Sequence, residues 1–373
     1  IGQALTNSFI AFTILNFLVG AATPGIFPSA FVIGIEIVGP SKRTYTGMII
    51  QLFFSTGVVS LAGLGYLIRD WQYLLIAITA PLAIFYLFWC FIPESPRWQM
   101  QRGHFSKARQ TVVHAAKVNK KEIPAWVLDE LMPSKKMKEE KTLMNGEDKS
   151  DQEAKKDGLN QKGSLIDLFK SRVLFIRTAI IFFNWLIISM TFYGLNFNTG
   201  NLVAGSIFLN FFLAGLVEFP AHLLTLFTVD RLGRKKVHFG MMMTSGVACL
   251  SCVISIIYAA QDLQWLTVTL AMLGKFGAAG AFGTIYMYSS EIFPTVIRNS
   301  ALGASSSWAR VGAMLAPYVA AQGAKTDTSL GRGFPLLVCG CLILSAGVLS
   351  SFLPETLNRK LPETLDDAKH FTR

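Results

Sequence analysis

Charge is what this sequence has least of. Asp, Glu, Lys and Arg make up 15% of its 373 residues, where a soluble domain carries about 25%. With 52% hydrophobic residues, that shortage excludes a disordered chain and a string of ordinary soluble domains. Cysteine is sparse as well. Cys90, Cys249, Cys252, Cys339 and Cys341 all fall in apolar stretches and read as buried free thiols, not as a disulfide framework. Cys249 and Cys252 have C-x-x-C spacing, but there is no second pair and no nearby His, which argues against zinc. The five histidines are scattered, so no metal cluster is expected. A GxxxxGK[ST] loop is missing, so the chain is no ATP-driven pump by itself. No nucleophile–base set stands out, and neither an enzyme nor a cofactor is implied. The net charge of +11 would suggest nucleic acid in a soluble protein. Here the basic residues sit in loops, where orientation in a bilayer accounts for them, and no nucleic-acid partner is expected.

What the chain has instead is long apolar runs. A hydrocarbon core of ~30 Å needs about 20 such residues per helix. Candidate spans cover 8–38, 45–68, 71–92, 174–196, 202–229, 237–260, 264–290, 301–322 and 334–353, nine in all. The first is interrupted by Gly20, Pro24, Gly25 and Pro28, which a membrane helix tolerates when neighbours cover the freed backbone groups. Loops on one side of these spans hold nearly all the Lys and Arg, and loops on the other hold only Arg69, Lys325 and Arg332. The positive-inside rule makes the basic side cytoplasmic, with the C-terminus on it.

One loop is large. Residues 93–173 divide the spans into a group of three, within 1–92, and a group of six, 174–353, followed by a cytoplasmic tail, 354–373. Within the loop, Ser95 to Leu131 has helical spacing. Residues 133–163 are mixed-charge and poor in hydrophobics, as a disordered linker is. Residues 164–172, SLIDLFKSR, have the pattern of a short amphipathic helix on the inner surface.

The two groups echo each other. Glu36 is followed seven residues later by Arg43, and Glu291 seven residues later by Arg298. FIPESPRW, with Glu94, follows the third span, and FLPETLNR, with Glu355, follows the ninth. Two matches in the same order on the same side point to duplicated halves. A six-span half paired with a three-span half predicts a twelve-helix protein whose first three helices are missing from this chain.

The residues themselves resemble a family. DRLGRK at 230–235, PESPRW at 93–98, EIFPTVIRN at 291–299 and PETLN at 354–358 look like signatures of the major facilitator superfamily. NTGNL at 198–202, VEFPA at 217–221 and GKFGAAGAFG at 274–283 resemble, more narrowly, the organic cation, carnitine and organic anion transporters. The resemblance covers the chain apart from the linker. It implies an all-α membrane protein with the major facilitator fold, nine of twelve helices present, in the plasma membrane.

A charge in the bilayer core is costly and marks a functional hypothesis. Three charges lie deep. At 1.5 Å per residue, Glu218 is ~18 Å from Asp230, Lys275 ~16 Å from the outer end of its span, and Arg310 ~14 Å from the inner end of its own. All three sit near the midplane, where transporters hold substrate between their halves. Glu218 with Lys275 reads equally well as a buried ion pair between helices. Arg310 is then left over, with a fork suited to a carboxylate. In the resemblance Arg310 falls where the organic cation branch has an acidic residue and the anion and carnitine branches have arginine. Glu218 matches an acidic position of the cation and carnitine branches. A cavity with both signs suits a zwitterion such as carnitine.

Aromatic faces bind quaternary ammonium through cation–π attraction. Phe27 and Phe31, Phe192 and Tyr193, and Phe282 and Tyr286 are the candidates, and the resemblance puts their stretches in the central cavity. Lipid-facing or packing roles are the alternative in a chain with 29 Phe. Gln51 and Asn184 are polar in apolar runs and serve either as ligand contacts or as interhelical hydrogen bonds. His222 follows Glu218 by one helical turn, as a proton-handling pair would or as simple packing. At the inner helix ends recur Glu36, Arg43, Glu94, Arg97, Asp230, Arg231, Arg234, Glu291, Arg298 and Glu355, which the family pattern implies are gating salt bridges. The small residues of GAAGAFG read as close helix contacts.

The expected function is alternating-access transport of a small organic ion, with organic cation/carnitine-type zwitterions favoured. An organic anion carrier and a sugar porter-like carrier of a neutral solute are the alternatives. The lipid bilayer and the organic ion are the implied partners, with sodium or proton open as coupling ion.

Overall fold

The computed structural model describes residues 2–39, 42–88, 94–101, 104–131, 167–202, 207–258, 264–294, 297–324, 328–359, 362 and 365–371. Among them every element is a helix. In chain order these are α1 (Gly2–Leu5), α2 (Phe9–Ile37), α3 (Arg43–Leu67), α4 (Trp71–Thr79), α5 (Leu82–Phe88), α6 (Pro96–Gln101), α7 (Phe105–Val118), α8 (Ala125–Leu131), α9 (Asp167–Lys170), α10 (Arg172–Leu202), α11 (Ile207–Leu232), α12 (Arg234–Tyr258), α13 (Gln264–Ile292), α14 (Arg298–Ala324), α15 (Ser329–Ser350) and α16 (Leu365–His370).

Seven described helices are long and apolar enough to cross a membrane: α2, α3, α10, α11, α12, α13 and α15. Two of the nine expected spans depart from that. The run 71–92 breaks at Ala80 and Pro81 into α4 and α5, because proline lacks the N–H that an unbroken helix would use there. Its residues 89–92 lie outside the described part. The run 301–322 is one long helix, α14, but Ser305, Ser306, Ser307 and Arg310 dilute its apolar content, and it is not among the seven. In α2 the chain stays helical through Pro24 and Pro28.

Caps fix several starts. The Ser8 hydroxyl accepts from Ala11 N at α2, Asp70 accepts from Gln72 and Tyr73 N at α4, and Thr328 accepts from Gly331 N at α15. These side chains satisfy amides that a helix start leaves without partners.

The core lies among the last six long helices. Trp185, Ile188, Tyr288, Phe293, Ile343 and Ala346 are buried in one cluster. α12 packs on α13 and α15, and α10 on α14. Two glycines make these approaches close. A Cβ at Gly277 would lie 2.6 Å from Met241 O, and one at Gly312 would run into Leu186 O. The GAAGAFG stretch is therefore a packing surface, as small residues at membrane helix contacts are. α3 crosses to this group by packing along α11.

The central loop forms α6, α7 and α8 where helical spacing predicts them. The amphipathic stretch 164–172 shortens to α9, which buries Leu168. The linker 133–163 lies outside the described residues.

Candidate functional site

Deep in the bundle, α11 and α13 bring opposite charges together. Lys275 Nζ is 3.0 Å from Glu218 Oε1, and both side chains are 0% exposed. Three further groups complete the enclosure. Ser55 of α3 donates to Glu218 Oε2 at 2.9 Å. Lys275 donates to Asn196 Oδ1 of α10 at 2.6 Å. The ammonium also sits 3.4 Å from the centre of the Phe192 ring. Two charges taken out of water are costly unless their remaining hydrogen-bonding capacity is met. Here a hydroxyl, an amide oxygen and a ring face meet it.

Beside this pair the aromatic rings close into a circuit. Phe192 and Phe282 lie 5.3 Å apart between ring centres, Phe282 and Tyr286 5.7 Å, Tyr286 and Phe27 5.3 Å, Phe27 and Phe54 6.4 Å, and Phe54 returns to Phe192 at 6.4 Å. Phe31 and Trp185 flank Tyr286 at 5.5 and 4.4 Å. Tyr193 meets Phe192 edge-on at 5.4 Å. The six aromatics singled out in the sequence are thus brought together from α2, α10 and α13. The sequence reading missed Phe54, Trp185, Ser55 and Asn196. Ser55 and Asn196 stand one helical turn beyond Gln51 and Phe192, so helical spacing alone pointed to them.

Arg310 projects from α14 with an exposed side chain. It makes no ion pair among the described residues, and its field reaches the Tyr286 hydroxyl. Gln51 is buried on α3 with its Nε2 unpartnered. Asn184 resolves as a structural link: it donates to Ile180 O at 2.8 Å and lies 3.4 Å from His238 Nε2. His222 is buried, and its Nδ1 has no hydrogen-bond partner.

The charged helix ends separate into those that join and those that do not. Arg234 reaches Asp230 at 3.0 Å and Glu291 at 3.1 Å. Glu355 accepts from the backbone N–H of Arg234 at 2.9 Å and of Lys235 at 3.3 Å, capping α12. Thr356 donates its hydroxyl to Glu291. Thr44, at the start of α3, donates to Asp230 at 2.9 Å. Arg298 donates to Phe293 O at 3.3 Å, and Arg43 opens α3. Arg231 and Glu94 are exposed. The side chains of Glu36 and Arg97 lie outside the described part.

Of the cysteines, Cys249, Cys252 and Cys339 are buried and free, whereas Cys341 is exposed, which corrects the expectation that all are buried. Two residues along a helix turn about 200°, so Cys339 and Cys341 cannot share the inner face. Cys90 lies outside the described residues. No group of His, Cys, Asp or Glu among the described residues could hold a metal ion.

This arrangement of apolar helices around a charged and aromatic interior has known relatives. The profile described as "Sugar (and other) transporter" matches residues 1–366. The chain belongs to that transporter family. It is an integral, multi-pass helical membrane protein of the major facilitator superfamily. Similar members of the family include the organic cation transporter protein of Drosophila melanogaster, 40% identical over 368 residues, which cover 99% of this chain and 63% of the relative. Organic cation/carnitine transporter 2 of Homo sapiens is 33% identical over 365 residues, 98% of this chain and 60% of the relative. The chain therefore spans about three-fifths of the curated relatives it matches. Among solved structures, the proton:xylose symporter XylE bound to 6-bromo-6-deoxy-D-glucose has the same fold, with a TM-score of 0.64 at 20% identity over 92% of this chain and 70% of that one.

Proposed function

We propose that the protein is a secondary transporter of small organic ions that works by alternating access, and that zwitterions of the organic cation/carnitine kind are its favoured substrates. One observation carries this reading. Glu218 and Lys275 neutralise each other inside the bundle, while Arg310 stays exposed, without an ion pair among the described residues, within electrostatic reach of the aromatic circuit. A guanidinium holds a carboxylate through two parallel hydrogen bonds. Ring faces hold a quaternary ammonium. A substrate with both groups uses both. The names of the similar organic cation and carnitine transporters support the same class.

In this reading Arg310, Glu218, Lys275, Tyr193, Phe192, Phe27, Phe31, Gln51, Phe282 and Tyr286 form the binding region. The recurring end charges, with Asp230, Arg234, Glu291 and Glu355 at their centre, hold one gate. The halves, 1–92 and 174–353, rock about the site, with 93–173 and the tail 354–373 in the cytoplasm. The location is the plasma membrane, oriented by the positive-inside rule. Coupling to sodium, coupling to a proton and uncoupled exchange are all open in this reading, and no chemistry is performed on the solute.

An organic anion carrier is the second reading, favoured by the same Arg310, which has no ion pair among the described residues. Uptake of labelled carnitine, tetraethylammonium and p-aminohippurate by cells expressing the full-length protein, with and without sodium, tests both. Carnitine uptake abolished by Arg310→Ala supports the zwitterion. p-Aminohippurate uptake without carnitine uptake moves the assignment to anions. Tetraethylammonium uptake indifferent to Arg310→Ala overturns both.

A further inference from the structure

Between Glu94 and Glu122 the chain carries seven Lys and Arg and no Asp or Glu. The helices in and beside this stretch pack on one another. Arg109 of α7 donates to Asp129 of α8 at 2.6 Å, and Thr111 of α7 donates to Gln99 of α6 at 3.5 Å. Ala108 of α7 is fully buried. One side of α7 is thereby spent on its neighbours, and the other is open. Lys107, Gln110, His114 and Lys117 recur at the three- and four-residue steps that mark one helix face, and all four are exposed.

The turn that follows α7 adds two more cations. The Lys120 N–H donates to Lys117 O at 3.2 Å and the Lys121 N–H to Ala116 O at 3.0 Å. This pair of bonds closes a helix through one residue in the left-handed region. That residue is Lys120, with a φ of 52°. Glycine takes such a position without strain, and lysine does not. Lys120 and Lys121 are both exposed. Like Lys107 and Lys117, they make no ion pair among the described residues. A strained position that still carries a charged side chain points to a use for the charge.

We propose that α7 and its closing turn form a docking surface for the inner leaflet of the membrane, where Lys107, Lys117, Lys120 and Lys121 hold the phosphate headgroups of acidic phospholipids. Charge complementarity is the first argument. Apolar exposure is the second. Val113 and Val118 of α7 are 44% and 67% exposed, and Trp126, one turn before Asp129, is 67% exposed. A soluble acidic partner gives these side chains little. At the headgroup boundary valine and tryptophan enter the acyl edge while the lysine ammoniums stay level with the phosphates. Position is the third. α5 ends at Phe88 and α6 starts at Pro96, so the chain keeps this unit within about 30 Å of the apolar run. The inference rests on the cytoplasmic placement of 93–173 given above and not on any substrate.

Each lysine near an anionic bilayer strengthens association about fivefold. Four together hold a short helix that a neutral bilayer would release. The attraction falls off within a Debye length, ~10 Å at 0.1 M salt. Contact therefore follows lipid charge and ionic strength, which packing against the rest of the protein does not. Docked in this way, the loop between the two groups of spans is pinned to the membrane at α7.

Hydrogen exchange of the full-length protein in nanodiscs, read by mass spectrometry on peptides covering 105–121, tests this. Exchange is expected to slow about fivefold or more when phosphatidylcholine is replaced by a mixture with about 30% phosphatidylserine, and high salt is expected to remove the difference. The ratio between the two lipids is taken within each variant, so altered helix stability cancels. Lys120→Gly relieves the backbone and is expected to shrink the ratio without unfolding α7. Lys107→Gln, Lys117→Gln, Lys120→Gln and Lys121→Gln combined are expected to abolish it. Equal exchange in the two lipids, or a ratio that the fourfold variant keeps, overturns the lipid surface. Slow exchange in both lipids that deletion of 133–163 releases assigns the surface to the chain's own linker instead. A nanodisc presents the lipid in both leaflets, so this readout is independent of sidedness. Labelling of Lys121→Cys by an impermeant maleimide from outside intact cells would overturn the cytoplasmic placement, and with it the inner leaflet as partner.

Discussion

Thr44 and Asp230, 186 positions apart in the chain, are joined by a hydrogen bond of 2.9 Å. Asp230 is also the partner of Arg234, which binds Glu291 in turn. The start of α3 is thereby tied into a charge network built otherwise from helix ends of the six-span group.

Thr44→Val removes that tie and little else. One net hydrogen bond is worth about 1 kcal/mol, so the population open at this end is expected to rise about fivefold. A single cysteine placed at Tyr45 and labelled from the basic side reports it. Labelling no faster than in the wild-type background would show that Thr44 does not hold the gate.

Lys275→Ala strands the Glu218 carboxylate inside the bundle. Breaking one partner of a buried pair costs about 3–5 kcal/mol. A clear fall in Tm and in surface abundance is expected. Glu218→Gln combined with Lys275→Gln removes both charges and is expected to recover most of the loss. Equal stability of the single and double variants would mean that water already reaches the pair.

Tyr286 touches four other aromatic residues of the cluster, namely Phe27, Phe31, Trp185 and Phe282. Tyr286→Ala is expected to raise KM for a quaternary ammonium substrate about tenfold, and Tyr286→Phe to raise it far less, since the ring face is kept. Matching losses in the two variants would assign the effect to the hydroxyl.

Thiol chemistry separates the cysteines. A membrane-permeant maleimide is expected to modify Cys341 in the native protein and to spare Cys249, Cys252 and Cys339 until the protein is denatured. Mass spectrometry of the labelled peptides decides it. Native labelling of Cys249 would place that face of α12 open to lipid or water.

Gly312→Ala sets a Cβ against the Leu186 carbonyl. Backbone cannot yield as the end of a flexible side chain can, so the α10–α14 contact has to part. A loss of about 1–3 kcal/mol is expected, read as a lowered Tm, whereas Gly303→Ala, with open space around it, is expected to be neutral.

Charge was the most legible feature of the sequence. Two opposite charges near the midplane offered the Glu218–Lys275 ion pair as one of two readings, the other being substrate contact, and the structure joins them, as the cost of a lone charge in a membrane favours. Aromatic residues were less legible. Phe54 and Trp185 escaped notice because composition does not say which face of a helix looks inward, and a chain rich in Phe offers many equivalent choices. The break at Pro81 was visible as a residue but masked by the apolar run around it. Cys341 was misplaced for the same reason as Phe54: an apolar neighbourhood is equally apolar on the lipid side. The unpartnered nitrogens of Gln51 and His222 were beyond the sequence, since only the packing of the helices shows which polar atoms find partners.

The packing of α3 on α11 has a mechanical corollary. Ser55 meets Glu218, Val58 faces Gly215 and Gly65 faces Phe208, three positions in equal antiparallel steps that make this part of the two helices behave like the scales of a vernier. Moving one helix by a single residue would take Ser55 off Glu218 and both glycines off their side chains together. Sliding is thus forbidden as a small motion, and what remains is separation of the pair as a whole or hinging at one end. Insertion of one alanine after Leu52 leaves composition and length almost unaltered, yet it turns the later part of α3 by about 100°. It would uncouple the midplane from the basic end, so that the two ends of the carrier no longer keep time.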